Sequence, residues 1–509
     1  MSKRAANDAH DDQPFPKAPS GSKRENPVVD EMGEFEDAWE DEIESDEDVV
    51  DASKPEEEDN EDGMDVDEVL PAIEESEEAP QAPEVFIPGR HVLQEDEILE
   101  ADDSVYVMRH SMGVNWPCLS FDVLRDNLGD ERQRYPATAY IVTGTQADAA
   151  SKNEVVVYKM SSLHKTQKDG NDSDSENDED EDDDNLDEDA VLEHRSLPHL
   201  GGVNRVRAQP MPSYPSASEP YHVATWAETG KVHIWNVRPL LESLDVPGYA
   251  LDKTRVSKPV FTINSHGRAE GFAMDWAASG STSLRLLTGD VASKIYLTTS
   301  TPSGFNALSQ PFTSHTSSVE DLQWSPSEPT VFASCSADRS IQIWDVRVKG
   351  RRSVAGITAA HDSDVNVISW NRLTSYLLVS GGDEGAIKTW DLRNVQKLGS
   401  AAVDPSPVAS FVWHKAPITS IEWHPTEDSI FAAGGADDQV TLWDLAVEHD
   451  ADETGMGESF NGEQDVPPQL LFVHQGQTDV KEVHWHPQIP GTVISTALDG
   501  FNIFKTISV

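Results

Sequence analysis

An all-β fold, a seven-bladed β-propeller, is what these 509 residues predict, and three observations predict it. The first is a recurring spacing: His315 stands 29 residues before Trp344-Asp345, His361 before Trp390-Asp391 and His414 before Trp443-Asp444. Successive units start 46 to 53 residues apart, the length of a four-stranded blade. The second is the texture within a unit. In "VFASCSADRSIQIWD", Val331 to Ser334 alternate as a strand, Ala337-Asp338-Arg339 turn the chain, and Ile341, Ile343 and Trp344 form the next strand. The third is physical: one such unit cannot bury both faces, so the units must stack around an axis.

The weaker units follow the same ruler. His266 precedes Thr288, Asp290 and the strand "SKIYLTT"; His474 precedes Ser495, Asp499 and Phe504-Lys505, where the Trp-Asp pair is replaced. His199 leads through a longer loop to Thr225 and Trp235-Asn236, and "YPATAYIVTGT" with "NEVVVYKM" adds two strand runs upstream. Seven blades result. Closing the ring requires the first blade, at roughly 112–160, to meet the C-terminal strand ending at Val509, because an open ring leaves unpaired edges.

Within one unit, His315, Ser334, Asp338 and Trp344 resemble the hydrogen-bonded tetrad of WD-repeat proteins. A segment before the blades starts extended at Val85 to Pro88, offers a helix from Gln94, and runs into "SVYVM" around Tyr106. It leads to "NWPCLSFDVL". Here the chain resembles the WD-repeat family that holds the histone-binding chaperones and the glutamate-rich WD-repeat proteins, regulators of ribosome biogenesis, over residues 84–509. The organisation expected is an acidic, disordered region over 1–83, a segment over 84–111 packing on the ring, and a propeller over 112–509 with acidic insertions at 165–190 and 446–468.

Charge is the second large signal. Residues 30–79 hold 26 Asp or Glu against the single Lys54, and residues 171–189 hold 13 acids and no base, so they supply −25 and −13 of a net −55. Such tracts cannot bury enough apolar surface to offset chain entropy. They serve either as solubilising tails or as a polyanionic shield for a very basic client. Direct nucleic-acid binding is disfavoured, since phosphates are repelled. Only Cys118 and Cys335 occur, which excludes a disulfide framework or thiolate zinc site and fits a reducing compartment. The polar start, Met1 to Asp8, and the lack of any run near about 18 apolar residues argue against secretion or a membrane span.

The resemblance implies a non-catalytic chaperone that captures a newly made, Lys/Arg-rich ribosomal protein, L-three of the large subunit, in the nucleus and nucleolus, with capture in the cytoplasm also open. Histones are the alternative client. Docking is expected on the face where the turns between second and third strands cluster. Asp290, Asp338, Asp383, Glu384, Asp437, Asp438 and Asp499 fall in or beside those turns; Glu270, Glu320 and Asp364 lie shortly after blade-starting histidines. Carboxylates around a central opening suit an extended basic peptide. Against this, one acid per turn, notably Asp338 and Asp437, is expected to bond its own histidine, which leaves Glu320, Glu384 and Asp438 freer.

Catalysis, cofactors and metals find no support. The histidines stand one per repeat and read as structural. His484-Trp485-His486 places two imidazoles on one strand face, but the same slot reads Trp423-His424-Pro425 and Trp324-Ser325-Pro326 elsewhere, so it is a repeat position rather than a metal pair. Gly381-Gly382 and Gly434-Gly435 read as turn glycines. A rival reading comes from Trp344-Asp345-Val346-Arg347 and Trp390-Asp391-Leu392-Arg393, which match boxes by which some WD-repeat proteins attach to cullin-RING ubiquitin ligase adaptors, with Arg347 and Arg393 as contacts. The same arginines serve equally to brace the loop to the next blade. Ser45, Ser173 and Ser175 stand in acidic surroundings that suit casein kinase II, and Lys3-Arg4, Lys17 and Lys23-Arg24 suit nuclear import. The expected state is a monomer.

Overall fold

The computed structural model describes residues 101–166, 189–212, 219–278, 283–397, 404–448 and 466–509. The tract at 30–79, all but the last residue of that at 171–189, the segment at 84–100, most of the 446–468 insertion, the three candidate phosphorylation serines and the N-terminal basic pairs lie outside the described residues.

Twenty-eight strands form seven four-stranded antiparallel sheets among the described residues. After a short turn of helix at Asp103–Val105 the chain enters β1 (Tyr106–Gly113). Blade one is β2 (Ser120–Leu124), β3 (Ala137–Gly144), β4 (Glu154–Leu163) and β5 (Val191–Pro198). Blade two is β6 (Val203–Ala208), β7 (His222–Ala227), β8 (Val232–Asn236) and β9 (Phe261–Ile263). Blade three is β10 (Ala273–Trp276), β11 (Arg285–Gly289), β12 (Ile295–Thr301) and β13 (Gly304–Ala307). Blade four is β14 (Val319–Trp324), β15 (Val331–Ser336), β16 (Ile341–Asp345) and β17 (Ala355–Ile357). Blade five is β18 (Val365–Trp370), β19 (Leu377–Gly382), β20 (Ala386–Asp391) and β21 (Ala409–Val412). Blade six is β22 (Ile418–Trp423), β23 (Ile430–Gly435), β24 (Gln439–Asp444) and β25 (Leu470–His474).

Blade seven draws on both ends of this region. Its order is β1, β28 (Gly500–Thr506), β27 (Thr492–Ala497) and β26 (Glu482–Trp485), with Tyr106 opposite Thr506 and Gly113 opposite Gly500. The ring therefore closes inside a blade. Closure was expected from residues 112–160; the residues that pair with the C-terminal strand are instead 106–113, and the boundary expected at 112 falls within one continuous strand.

The apolar core is divided the same way. Seven buried clusters each straddle one junction between neighbouring blades: Met108, Phe121, Ile141 and Phe501 join blades seven and one, while Phe332, Trp324 and Trp344 meet Ala273 and Leu287 between blades three and four. Alternation along each strand sends one set of side chains to each neighbour, so every blade is stabilised only by the next.

Helix α1 (Arg238–Asp245) lies in the connection from β8 to β9. It turns Leu240, Leu241 and Leu244 onto the core of blades one and two. Asp245 accepts from Tyr140 and pairs with Lys159 at 3.2 Å, fastening blade two to the outer strands of blade one.

Candidate functional site

Histidines at the starts of blades three to six build one face of the ring. His315 places Nδ1 2.9 Å from Asp338 and Nε2 2.6 Å from Ser334, whose hydroxyl accepts the Trp344 indole N–H at 2.8 Å. Blade five repeats this with His361, Ser380 and Trp390, and the acid is Glu384 at 2.6 Å. In blade six Ala433 stands where a hydroxyl would be, and Thr441, its neighbour across the ladder, supplies it to His414 and Trp443 at 2.9 and 2.7 Å, with Asp437 as the acid. In blade three His266 bonds Asp290 and Thr288, both at 2.8 Å. His199 in blade two bonds Thr225 and the carbonyl of Gly201, with no acid within bonding distance among the described residues.

Blade seven departs furthest. His474 Nδ1 lies 2.8 Å from the hydroxyl of Tyr106, so a phenol from β1 takes the place of the acid, and Asn502 takes Nε2 at 3.0 Å. Asp499, expected beside this histidine, is exposed in the turn between β27 and β28. The glycine pairs read as turn residues are strand residues instead. A Cβ at Gly382 would stand 2.5 Å from His361 Nδ1, and one at Gly435 2.4 Å from His414 Nδ1, so their lack of a side chain makes room for the histidine.

The ten candidate carboxylates thus fall into two groups. Asp290, Asp338, Glu384 and Asp437 are committed to histidines; this corrects the expectation that Glu384 was among the freer acids. Burial raises the carboxyl pKa of Asp338, Glu384 and Asp437, but the hydrogen bonds and charge of their histidines outweigh it and hold all three below the ordinary range. Glu270, Asp364, Asp383, Asp438 and Asp499 are exposed on the same face. Glu320 is half-buried at a bulge in β14, where burial raises its carboxyl. The equivalent bulge residues Asn366 and Thr419 bond the backbone of the next blade at Ile418 and Val480.

The acidic insertions are attached elsewhere. Residues 167–188 lie between β4 and β5, and residues 449–465 between β24 and β25. Both are third-to-fourth-strand connections, which by the antiparallel alternation start from the face opposite the histidines. Arg347 and Arg393 follow third strands on that opposite face too. Each is bonded to its own Asp, at 2.6 Å to Asp345 and 2.7 Å to Asp391, yet remains 68% and 62% exposed, and Arg393 lies 3.7 Å over the ring of Tyr376.

Reading the sequence for acidic loops missed the central channel. The innermost strands carry side-chain acceptors that take a backbone N–H from the next blade: Asp122 from Ala208, Asp275 from Trp324, Asp321 from Ile368, Ser369 from Trp423, Glu422 from Trp485 and Glu482 from Phe121. Glu482 also binds Arg205 and Arg207, each at 2.8 Å. His484 is clamped between Glu422 at 2.9 Å and Glu482 at 3.6 Å, and although burial lowers its pKa, the two carboxylates raise it to about 10. Burial is the chief cause that raises Asp275 to about 7. A cavity of about 230 Å³ opens here, lined by Asp122, Arg207, Asp275, Gln323, Arg372 and Glu422. The signal was present as single charges on otherwise apolar inner strands. His486, by contrast, accepts the N–H groups of Gln488 and Ile489, as His424 accepts those of Thr426 and Glu427. Both hold the first hairpin turn of a blade.

Four-stranded blades tied by His, acid, hydroxyl and Trp define a WD-repeat propeller, and residues 306–345, 353–391 and 405–444 match the model of the WD domain, G-beta repeat. Residues 96–164 match that of the histone-binding protein RBBP4 or its counterpart in the CAF1 complex. The chain is 46% identical to the ribosome assembly protein rrb1 of Schizosaccharomyces pombe over 94% of both chains. It is 44% identical to the glutamate-rich WD repeat-containing protein 1 of Dictyostelium discoideum over 83% of this chain and 84% of that one, and 43% identical to the protein HEAT STRESS TOLERANT DWD 1 of Arabidopsis thaliana over 85% and 94%. The chain belongs to this family of glutamate-rich WD-repeat and ribosome assembly proteins. Histone-binding relatives stand further off: the histone-binding protein MSI1 of Saccharomyces cerevisiae is 27% identical over 36% of each chain.

Proposed function

We propose that this chain is a non-catalytic, monomeric escort for a basic, newly made ribosomal protein during ribosome assembly, with L-three of the large subunit as the client, acting in the nucleus and nucleolus. The observation that carries the reading is the set of exposed carboxylates, Glu270, Asp364, Asp383, Asp438 and Asp499, on the histidine face of a rigid ring. Fixed acids attract a Lys/Arg-rich segment and raise its rate of encounter. The relative named as a ribosome assembly protein supports the process. The same field repels phosphate, so the client is met before it reaches RNA.

Calorimetric titration with a basic client at two salt concentrations tests this. Reversing Asp383, Asp438 and Asp499 to Lys is expected to weaken binding at least tenfold, about 1.4 kcal/mol, while the melting temperature stays within a few degrees. Unchanged affinity refutes the docking face. Mass spectrometry of copurifying proteins separates a ribosomal client from core histones, the alternative that the match over residues 96–164 keeps in view.

The exposure of Arg347 and Arg393 on adjoining blades favours a second reading, attachment to a cullin ligase adaptor through the opposite face. Reversing both to Glu should then abolish adaptor pull-down and leave client binding intact.

A further inference from the structure

Acids alone would hold any polycation. The histidine face also carries apolar side chains where its repeats are otherwise polar or small. The residue after the blade-starting histidine is Gly267, Thr316, Asp362, Lys415 or Gln475 in five blades, but Leu200 after His199, and Leu200 is 66% exposed. In the second-to-third-strand turn of blade seven, Leu498 is 46% exposed beside Asp499. One exposed leucine needs no explanation. These two flank a third apolar group, the half-buried Trp116 in the loop from β1 to β2.

Bonds join the three sites. The Gly201 N–H donates to Ala150 at 2.8 Å; Lys152, two residues on, lies 5.7 Å over the Trp116 ring; and the Gln146 N–H donates to Pro117 at 2.9 Å. On the other side, Thr496, two residues before Leu498, donates to Cys118 at 2.9 Å. The patch thus crosses from blade seven over blade one to blade two. Asp148, Glu228 and Asp499, all exposed, rim it, and the Glu228 N–H bonds Gly202 next to Leu200 at 2.9 Å.

We propose that Trp116, Leu200 and Leu498 seat a large apolar side chain of the basic segment that the surrounding carboxylates attract. The segment recognised is then a Lys/Arg-rich stretch with an aliphatic or aromatic residue at its middle, rather than a uniform polycation. Charge sets the approach and the rim, and the apolar seat sets the register. This inference rests on the escort reading and sharpens it.

The test uses the full chain and two synthetic peptides of equal length and charge, one with two central leucines among lysines and arginines and one with serines in their place. The leucine peptide is expected to bind about tenfold more tightly, a difference that Leu200→Ser/Leu498→Ser abolishes and Asp499→Lys/Glu228→Lys leaves in place while weakening both peptides. If the native chain binds both peptides alike and acid reversal weakens both, the apolar seat is wrong and the escort reading stands. If neither peptide binds, both fall.

Discussion

Replacing Glu384 with Ala leaves the Nδ1 of a buried His361 without its acceptor, whereas replacing Asp383, one residue earlier and exposed, removes only a solvated charge. Urea unfolding is expected to show a loss of about 1–3 kcal/mol for Glu384→Ala and less than about 0.5 kcal/mol for Asp383→Ala. The two acids look alike in sequence, but a cue was there: the left-handed corner follows directly on the histidine-bound acid, at Arg339 (φ 66°), Asp438 (φ 67°) and Gly385 (φ 80°). Aligning on that corner selects Glu384. His484 sets a second expectation. Its pKa is raised from an ordinary 6.5 to about 10, so its stabilising effect is complete below 6.5 and is lost as pH rises through 10. His484→Gln should cost about 3–5 kcal/mol at pH 7, because it strands buried Glu422 and Glu482, and the gap to the native chain should narrow towards pH 10. A gap constant over that range would contradict the clamp.

Strand β1 is the element on which the ring depends. Tyr106 is 4% exposed, packs edge-on against Phe472 and Phe504, and bonds His474, whose pKa burial lowers to about 3. A neutral histidine keeps its phenol partner at any ordinary pH, so Tyr106→Phe should cost about 1–3 kcal/mol with little pH dependence between 5 and 8. Deleting 101–113 should cost far more, exposing the edge of β28 and producing aggregates on size-exclusion chromatography. Blades four to six were legible because their histidine, hydroxyl and Trp-Asp residues are fixed by local ladders of constant length. Blade seven was only half legible: its last partner lies 368 residues from its histidine, and no repeat spacing encodes a phenol there. Blade one offered alternating strand runs and no blade-starting histidine, so its strands were readable and its place in the ring was not.

Across the whole molecule, charge and fold are separable. Seven junction cores among the described residues supply the burial, whereas the sequence of 171–188 offers Leu186 as its single aliphatic side chain. Replacing 171–188 by a short Gly/Ser linker should leave the melting temperature within about 2 °C while slowing client association and flattening its salt dependence, as stopped-flow mixing at two ionic strengths would show. A large fall in melting temperature would mean those acids belong to the folded body. The pairing of β1 with β28 also has a kinetic side. During synthesis Tyr106 emerges early and waits until Gly500–Thr506 have left the ribosome, so six blades can form in order while the seventh cannot. Until then the nascent ring is an open arc with raw sheet edges at both ends. Its last folding step is a search between segments almost four hundred residues apart, the kind of non-local closure that sets slow rates. Losing the final ten residues would therefore not shorten the ring but leave it permanently unlatched.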